Sequence, residues 1–256
     1  MLIKQVVLLL SAVSLLSGML LVPTNASADV YELRTYTTNE GKLDNLNARF
    51  RDHTVQLFKK HGIESVGYWV PTEEAKSKNT LIYVIKHKSR DAAKTSWKNF
   101  ISDPAWKKVA RESQVDGKIL AKAPESVYMD AADYSPESSL ENSKGSAVFE
   151  LRIYRTNEGK LKNLDARFRD HTIRLFKKHG IQSIAYWHPT DEPGSKDTLI
   201  YIIRHDSRDA AKVSWKAFGG DEEWRKVAKE SQKDGRFLRE RPESIYMTAT
   251  DYSAIK

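Results

Sequence analysis

The chain has 256 residues, 40% hydrophobic and 30% charged, with 12 glycines and 8 prolines, a balance that describes a globular chain rather than a disordered or collagen-like one. It contains no cysteine, which removes disulfides, zinc–thiolate sites, iron–sulfur clusters and cysteine nucleophiles together. A formal charge of +8 leans toward an anionic partner, but 34 acids are interleaved with 42 bases, so nucleic acid is not expected as a partner.

Residues 1–28 differ from everything after them. Lys4 is their one charge, an apolar run extends from Val6 to Val22, and Pro23 and Ala26-Ser27-Ala28 precede Asp29. This reads as a secretory signal peptide cleaved after Ala28, in preference to a membrane anchor, because Ser11, Ser14, Ser17 and Gly18 dilute the apolar stretch. No cysteine follows it, so a lipoprotein anchor is excluded. The mature chain is expected to be secreted or periplasmic, with no stable membrane anchor.

Val30 to Thr37 alternates Tyr31, Leu33 and Thr35 against Glu32, Arg34 and Tyr36, the period of a strand with two distinct faces. Asn39 is placed to cap a helix over about residues 40–61, whose apolar stripe runs Leu43, Leu46, Phe50 and Leu57 and which stops at Gly62. Ile63 to Val70, closed by Pro71, and the β-branched Leu81 to Lys86 read as the next two strands. Ser89 and Asp91 begin a second helix carrying Ala93, Trp97 and Phe100. Asp103-Pro104 restarts helix as cap plus first-turn proline, Gly117 ends it, and Ser126 to Met129 supplies a last strand.

The same module is then written again. Val30-Tyr31-Glu32-Leu33-Arg34 recurs as Val148-Phe149-Glu150-Leu151-Arg152, and the offset of 118 holds without a gap through Tyr134 and Tyr252. Module 1 is assigned to residues 29–134, a polar linker to 135–146 and module 2 to 147–256. Each reads βαββαβ, an α+β sheet with helices on one face. The bare faces of two such sheets satisfy one another if they stack into a pseudo-two-fold barrel within the chain.

Several segments together resemble the NIPSNAP family: Tyr31-Glu32-Leu33-Arg34-Thr35-Tyr36, Gly41-Lys42-Leu43, Arg49-Phe50-Arg51-Asp52-His53-Thr54, Lys60-His61-Gly62, Gly67-Tyr68-Trp69 and Phe100-x-x-Asp103-Pro104-x-Trp106. In the second copy Asp221-Glu222 keeps the acid cap and loses the proline. The resemblance implies ferredoxin-like modules of the dimeric α/β-barrel group. That group includes haem-degrading and polyketide monooxygenases, isomerases and stress-related barrels, so haem is an admissible cofactor and no reaction is fixed.

The histidines sort as His53/His171, His61/His179 and His87/His205, with His188 unpaired. His53, three residues after Phe50 and four before Leu57, falls on the stripe facing the sheet, where it is either a structural ring or a pocket acid/base or axial ligand; His171 repeats it. His61 suits the helix C-terminus, and His87, at a strand end, is expected to be exposed. Arg34 and Arg152 share strand faces with Glu32 and Glu150, either as an ion-pair lattice inside the barrel or as anion-binding groups. Arg49, one turn before His53, and Arg167 before His171, either pair with the neighbouring aspartate or hold a ligand carboxylate. Tyr68, Trp97 and Trp106, with Tyr186, Trp215 and Trp224, are core aromatics that also offer a wall to a flat apolar ligand.

No metal-ligand pattern, Gly-rich phosphate loop, H-E-x-x-H, G-x-S-x-G or calcium loop is present. The leading expectation is an exported protein, a monomeric pseudo-dimer or higher homo-oligomer, binding a small molecule in helix/sheet pockets. Against it stand an oxygenase or isomerase using His53 and His171, and a protein-interaction scaffold in which every aromatic is core.

Overall fold

The structure, a computed structural model, describes residues 29–136 and 147–256. The expected signal peptide and residues 137–146 of the expected linker lie outside the described residues. Among the described residues, no helix is long and apolar enough to cross a membrane.

Module 1 runs β1 (Val30–Thr37), α1 (Leu43–Arg49), a π-helical segment (Phe50–Thr54), α2 (Val55–Lys60), β2 (Glu64–Pro71), the short α3 (Glu74–Ser77), β3 (Thr80–His87), α4 (Arg90–Ser102), α5 (Pro104–Glu112) and β4 (Glu125–Ala131). Module 2 repeats it with β5 (Val148–Arg155), α6 (Leu161–Arg167), a second π segment (Phe168–Thr172), α7 (Ile173–Lys178), β6 (Gln182–Pro189), a 3₁₀ turn (Gly194–Lys196), β7 (Thr198–His205), α8 (Arg208–Gly220), α9 (Glu222–Ser231) and β8 (Glu243–Ala249). The eight strands close in the order β1-β3-β2-β8-β5-β7-β6-β4. Closure joins Val70 to Thr248 and Asp130 to His188, so neither half-sheet keeps an open edge.

Strand alternation decides which side chains meet. Leu33, Trp69, Ile82, Val84 and Met129 point into the barrel and pack with Phe149, Leu151, Trp187, Ile202 and Met247 from the other module. Tyr36, Tyr68, Tyr83 and Ile85 point outward, under Leu46, Phe50, Phe58 and Phe100 of the helices. Burying a side chain of this size is worth about 1.5–3 kcal/mol, and the inner set can be buried only by the partner module.

Closure also exchanges tails. After β4, the Ala132 N–H donates to the Tyr186 carbonyl at 2.9 Å, the Tyr186 N–H donates to Ser135 Oγ at 2.9 Å, and Tyr134 stacks on Phe168. After β8, the Tyr68 N–H donates to Ser253 Oγ at 2.9 Å and Tyr252 stacks on Phe50. Ser135, expected as the first linker residue, is therefore docked on module 2.

Two local expectations are corrected. Asn39 does not cap the first helix. Its amide donates to the Lys118 carbonyl at 2.9 Å, tying the β1 loop to the loop before β4, while Lys42 precedes α1 without a side-chain cap. Nor is that helix one α-helical run over 40–61, because residues 50–54 are π-helical. The Val55 N–H reaches the Phe50 carbonyl, and the Thr54 hydroxyl reaches the Arg49 carbonyl at 3.0 Å. A π turn accommodates one extra residue, so the buried face passes through Phe50, Thr54 and Phe58 and His53 is turned to solvent.

Candidate functional site

Between sheet and helices, each module has one fully buried carboxylate. Glu32 is fully buried and accepts four hydrogen bonds: from Ser126 Oγ at 2.6 Å, Trp97 Nε1 at 2.8 Å, His87 Nε2 at 3.2 Å and the Arg34 guanidinium. Glu150 repeats this with Ser244, Trp215, His205 and Arg152. Burial alone would raise these carboxyls, but the His87 or His205 bond, the adjacent arginine and the serine and indole donors outweigh it, lowering each to about 2. With its acceptors engaged, the carboxylate is held as an ion and works as a strut rather than as a base awaiting a substrate.

This network corrects two expectations. His87 and His205 are buried, not exposed, because α4 and α8 bring Trp97 and Trp215 over the strand ends. Arg34 and Arg152 form an ion-pair lattice, but under the helices rather than inside the barrel, since Glu32, Arg34 and Tyr36 occupy the outward face of β1. Arg34 lies 4.4 Å from the Trp97 ring and Arg152 4.6 Å from that of Trp215. Tyr68 and Tyr186 are fully buried, bonded to the Ser65 and Ser183 hydroxyls, and belong to the core. His61 and His179 each bond an aspartate at 2.7 Å, Asp103 and Asp221, which also cap α5 and α9.

Arg49 and His53 do meet at one place, a cavity of about 220 Å³ between α1 and α5 that also receives Asp52 and Glu112. Its counterpart in module 2, about 360 Å³, is lined by Arg167, Asp170, His171 and Glu230. His53 is exposed there and His171 half-buried, so neither projects into the helix/sheet core. Arg49 and Arg167 are themselves buried and form no ion pair within 4 Å among the described residues. Each guanidinium lies over a tryptophan, Trp106 at 5.4 Å and Trp224 at 5.3 Å, with Phe237 at 4.8 Å added in module 2. Burial lowers both arginines from their ordinary value, although Tyr36 and Tyr83, or Tyr154 and Tyr201, act in the opposite sense.

A larger cavity, about 470 Å³, opens on the other side of Arg167. Tyr154, Phe168, Phe176, Phe218, Trp224 and Leu238 form its wall, and Arg236, Arg239, Glu240 and Arg241 form its mouth. Of the wall, the sequence singled out Arg167 and Trp224 and missed the rest. The mouth carried a readable signal, because Lys118-Ile119-Leu120-Ala121-Lys122-Ala123 becomes Arg236-Phe237-Leu238-Arg239-Glu240-Arg241 in the second copy. Haem does not fit this cavity as an axially ligated group. Its lining contains no histidine or methionine, and the Tyr154 hydroxyl accepts from Arg152 at 3.3 Å. Among the described residues, no group of three His, Cys, Asp or Glu side chains gathers as a metal site.

The closed eight-stranded ring of two βαββαβ units defines a dimeric α/β barrel completed within one chain. Solved structures support that class. A candidate monooxygenase from Lactobacillus acidophilus superposes with a TM-score of 0.56 at 8% identity, covering 90% of this chain and 100% of that one. A candidate monooxygenase from Fusobacterium nucleatum gives 0.52 at 13%, covering 87% and 93%, and an anthrone oxidase-like protein gives 0.55 at 13%, covering 89% and 94%. No curated protein matches the chain. The NIPSNAP family model matches twice, at residues 31–136 and 149–254, and the chain belongs to the NIPSNAP family.

Proposed function

We propose that this tandem NIPSNAP protein is an exported small-molecule-binding protein whose principal site is the helix/sheet cavity of module 2. The observation that carries this reading is the cavity of about 470 Å³, walled by five aromatic rings and one leucine and ended by a buried arginine. That volume and lining are typical of sites for compact organic ligands, where flat apolar surface supplies affinity and a few polar groups set orientation. The apolar Val6 to Val22 run and the Ala26-Ser27-Ala28 site support export with cleavage after Ala28. The oxygenase alternative draws on the names of distant fold relatives, and the positions of His53 and His171 outside the aromatic cavity add nothing to it.

Calorimetric titration of the mature chain with naphthalene-2-carboxylate, naphthalene-2-carboxamide and decanoate tests the reading. At least one should bind, and Ala228→Phe, which fills the cavity from α9, should abolish that binding without loss of fold. If none binds at millimolar concentration, or if Ala228→Phe leaves binding intact, the cavity is not a ligand site.

A further inference from the structure

The two modules line the same inner wall with the same residues. Tyr154, Arg167, Phe168, Thr172, Phe176, Phe218, Trp224, Ala228, Gln232 and Leu238 each have an identical partner 118 residues earlier. The mouth breaks the symmetry, since Ala121 and Ala123 stand where module 2 has Arg239 and Arg241. Lys122 is in turn replaced by Glu240, so both mouth segments carry the same net charge of +2, and module 2 differs in presenting its cations as the guanidinium groups of Arg236, Arg239 and Arg241.

The charges at this mouth are not all spent. Arg239 pairs with Asp197 at 2.7 Å, and Glu240 is held by Arg155 at 3.2 Å. The guanidinium groups of Arg236 and Arg241 form no ion pair within 4 Å among the described residues. At the inner end, Arg167 Nε is buried without a hydrogen-bond partner, and its Nη1 makes one long hydrogen bond, to Ser231 Oγ at 3.5 Å. A buried guanidinium that lacks a carboxylate is costly, and aromatic rings offset only part of that cost. Arg167 also lines the adjoining 360 Å³ cavity, where Asp170 and Glu230 are present but stay beyond ion-pair distance. An anionic group arriving through the 470 Å³ cavity would meet Arg236 and Arg241 at the mouth and Arg167 within, with rings flanking its apolar body.

On this basis we infer that the module 2 cavity selects amphipathic anions, small molecules with a flat or apolar body and a carboxylate, over their uncharged analogues. The inference rests on the binding role proposed above and names the chemistry of its ligand. A carboxylate suits the forked guanidinium, and binding would supply the counter-charge that Arg167 lacks.

The same three probes separate this inference from the reading beneath it. Naphthalene-2-carboxylate should bind the mature chain about tenfold more tightly than the carboxamide, a preference that added salt erodes because Arg236 and Arg241 are exposed. Arg236→Ala/Arg241→Ala should weaken the carboxylate about fivefold and leave the carboxamide unchanged. Arg167→Met should abolish the preference; should it unfold the chain, the double variant, confined to the exposed mouth, decides the matter. Equal affinity for acid and amide, or equal loss of both in the double variant, overturns the anion inference and leaves the cavity a binding site. Absence of binding by every probe overturns both.

Discussion

Modules 1 and 2 agree around the buried glutamates and the ring cluster beneath the first helix, and differ at the cavity mouth and the socket of the exchanged tail. Glu32 and Glu150 collect equivalent donors at distances equal within a tenth of an ångström, and Phe50, Tyr68 and Tyr83 match Phe168, Tyr186 and Tyr201 ring for ring. The mouth near residues 236–241 instead gains arginines, and the tail socket changes character. Tyr252 donates to the neutral Asn47 amide at 2.8 Å, whereas Tyr134 donates at 2.7 Å to the Asp165 carboxylate, which also receives His188 Nε2 at 3.0 Å. A close-packed interior penalises almost any change of shape or polarity, whereas a loop or socket rim tolerates a change of charge. The difference between the modules therefore points to the places where one of them has acquired its own chemistry.

If the two struts are equivalent, Glu32→Ala and Glu150→Ala should each destabilise the protein by about 3–5 kcal/mol in urea unfolding, since each leaves a buried arginine and several buried donors unpaired. A loss in one module alone would break the equivalence. Acid titration sharpens the same point. Both carboxyls are lowered from 4.5 to about 2, so the stability they contribute is fully present above about pH 4.5 and is lost as pH falls through about 2. Urea midpoints measured between pH 5 and pH 2 should fall, with a shallower dependence in Glu32→Gln/Glu150→Gln; an unchanged dependence would assign the acid sensitivity elsewhere.

The sockets should differ in measured strength. Tyr134→Phe removes a hydrogen bond to a charged acceptor, worth about 1.5–3 kcal/mol, and Tyr252→Phe one to a neutral amide, worth about 0.5–1.5 kcal/mol. Equal costs in thermal unfolding would mean that the Asn47/Asp165 exchange has no energetic meaning. The smallest effect is expected at His53. Being exposed, it should tolerate alanine within about 0.5 kcal/mol, while His87→Ala, which strips a donor from Glu32, should cost about 1.5–3 kcal/mol.

Legibility followed the range of the interactions involved. The repeat, the strand faces of Glu32, Arg34 and Tyr36, the Ser89 and Asp103 caps and the left-handed Gly62 depend on neighbours a few residues away, so the amino-acid order expresses them directly. The meeting of Arg49 with His53 was legible for the same reason, but its direction was not. A π turn is one residue of slack within an otherwise regular helix, and one residue rotates a helical side chain by roughly 100°. That is enough to send His53 outward and Thr54 inward. His87 was misread because its burial comes from Trp97, in an element that reaches the strand end only once the helices lie on the sheet.

By itself, then, the sequence determined the two-module α+β plan and the polarity of each strand face, because those follow from backbone periodicity and the need to hide apolar side chains from water. Tertiary structure alone decided the exchange of tails around Tyr68 and Tyr186, the enclosure of Glu32 and Glu150 by their histidine, tryptophan and serine donors, and the gathering of Arg167, Arg236 and Arg241 about one aromatic cavity. These arrangements join residues from dozens to nearly two hundred positions apart. No local preference encodes such a meeting; it exists only when both half-sheets close and the chain ends are brought across.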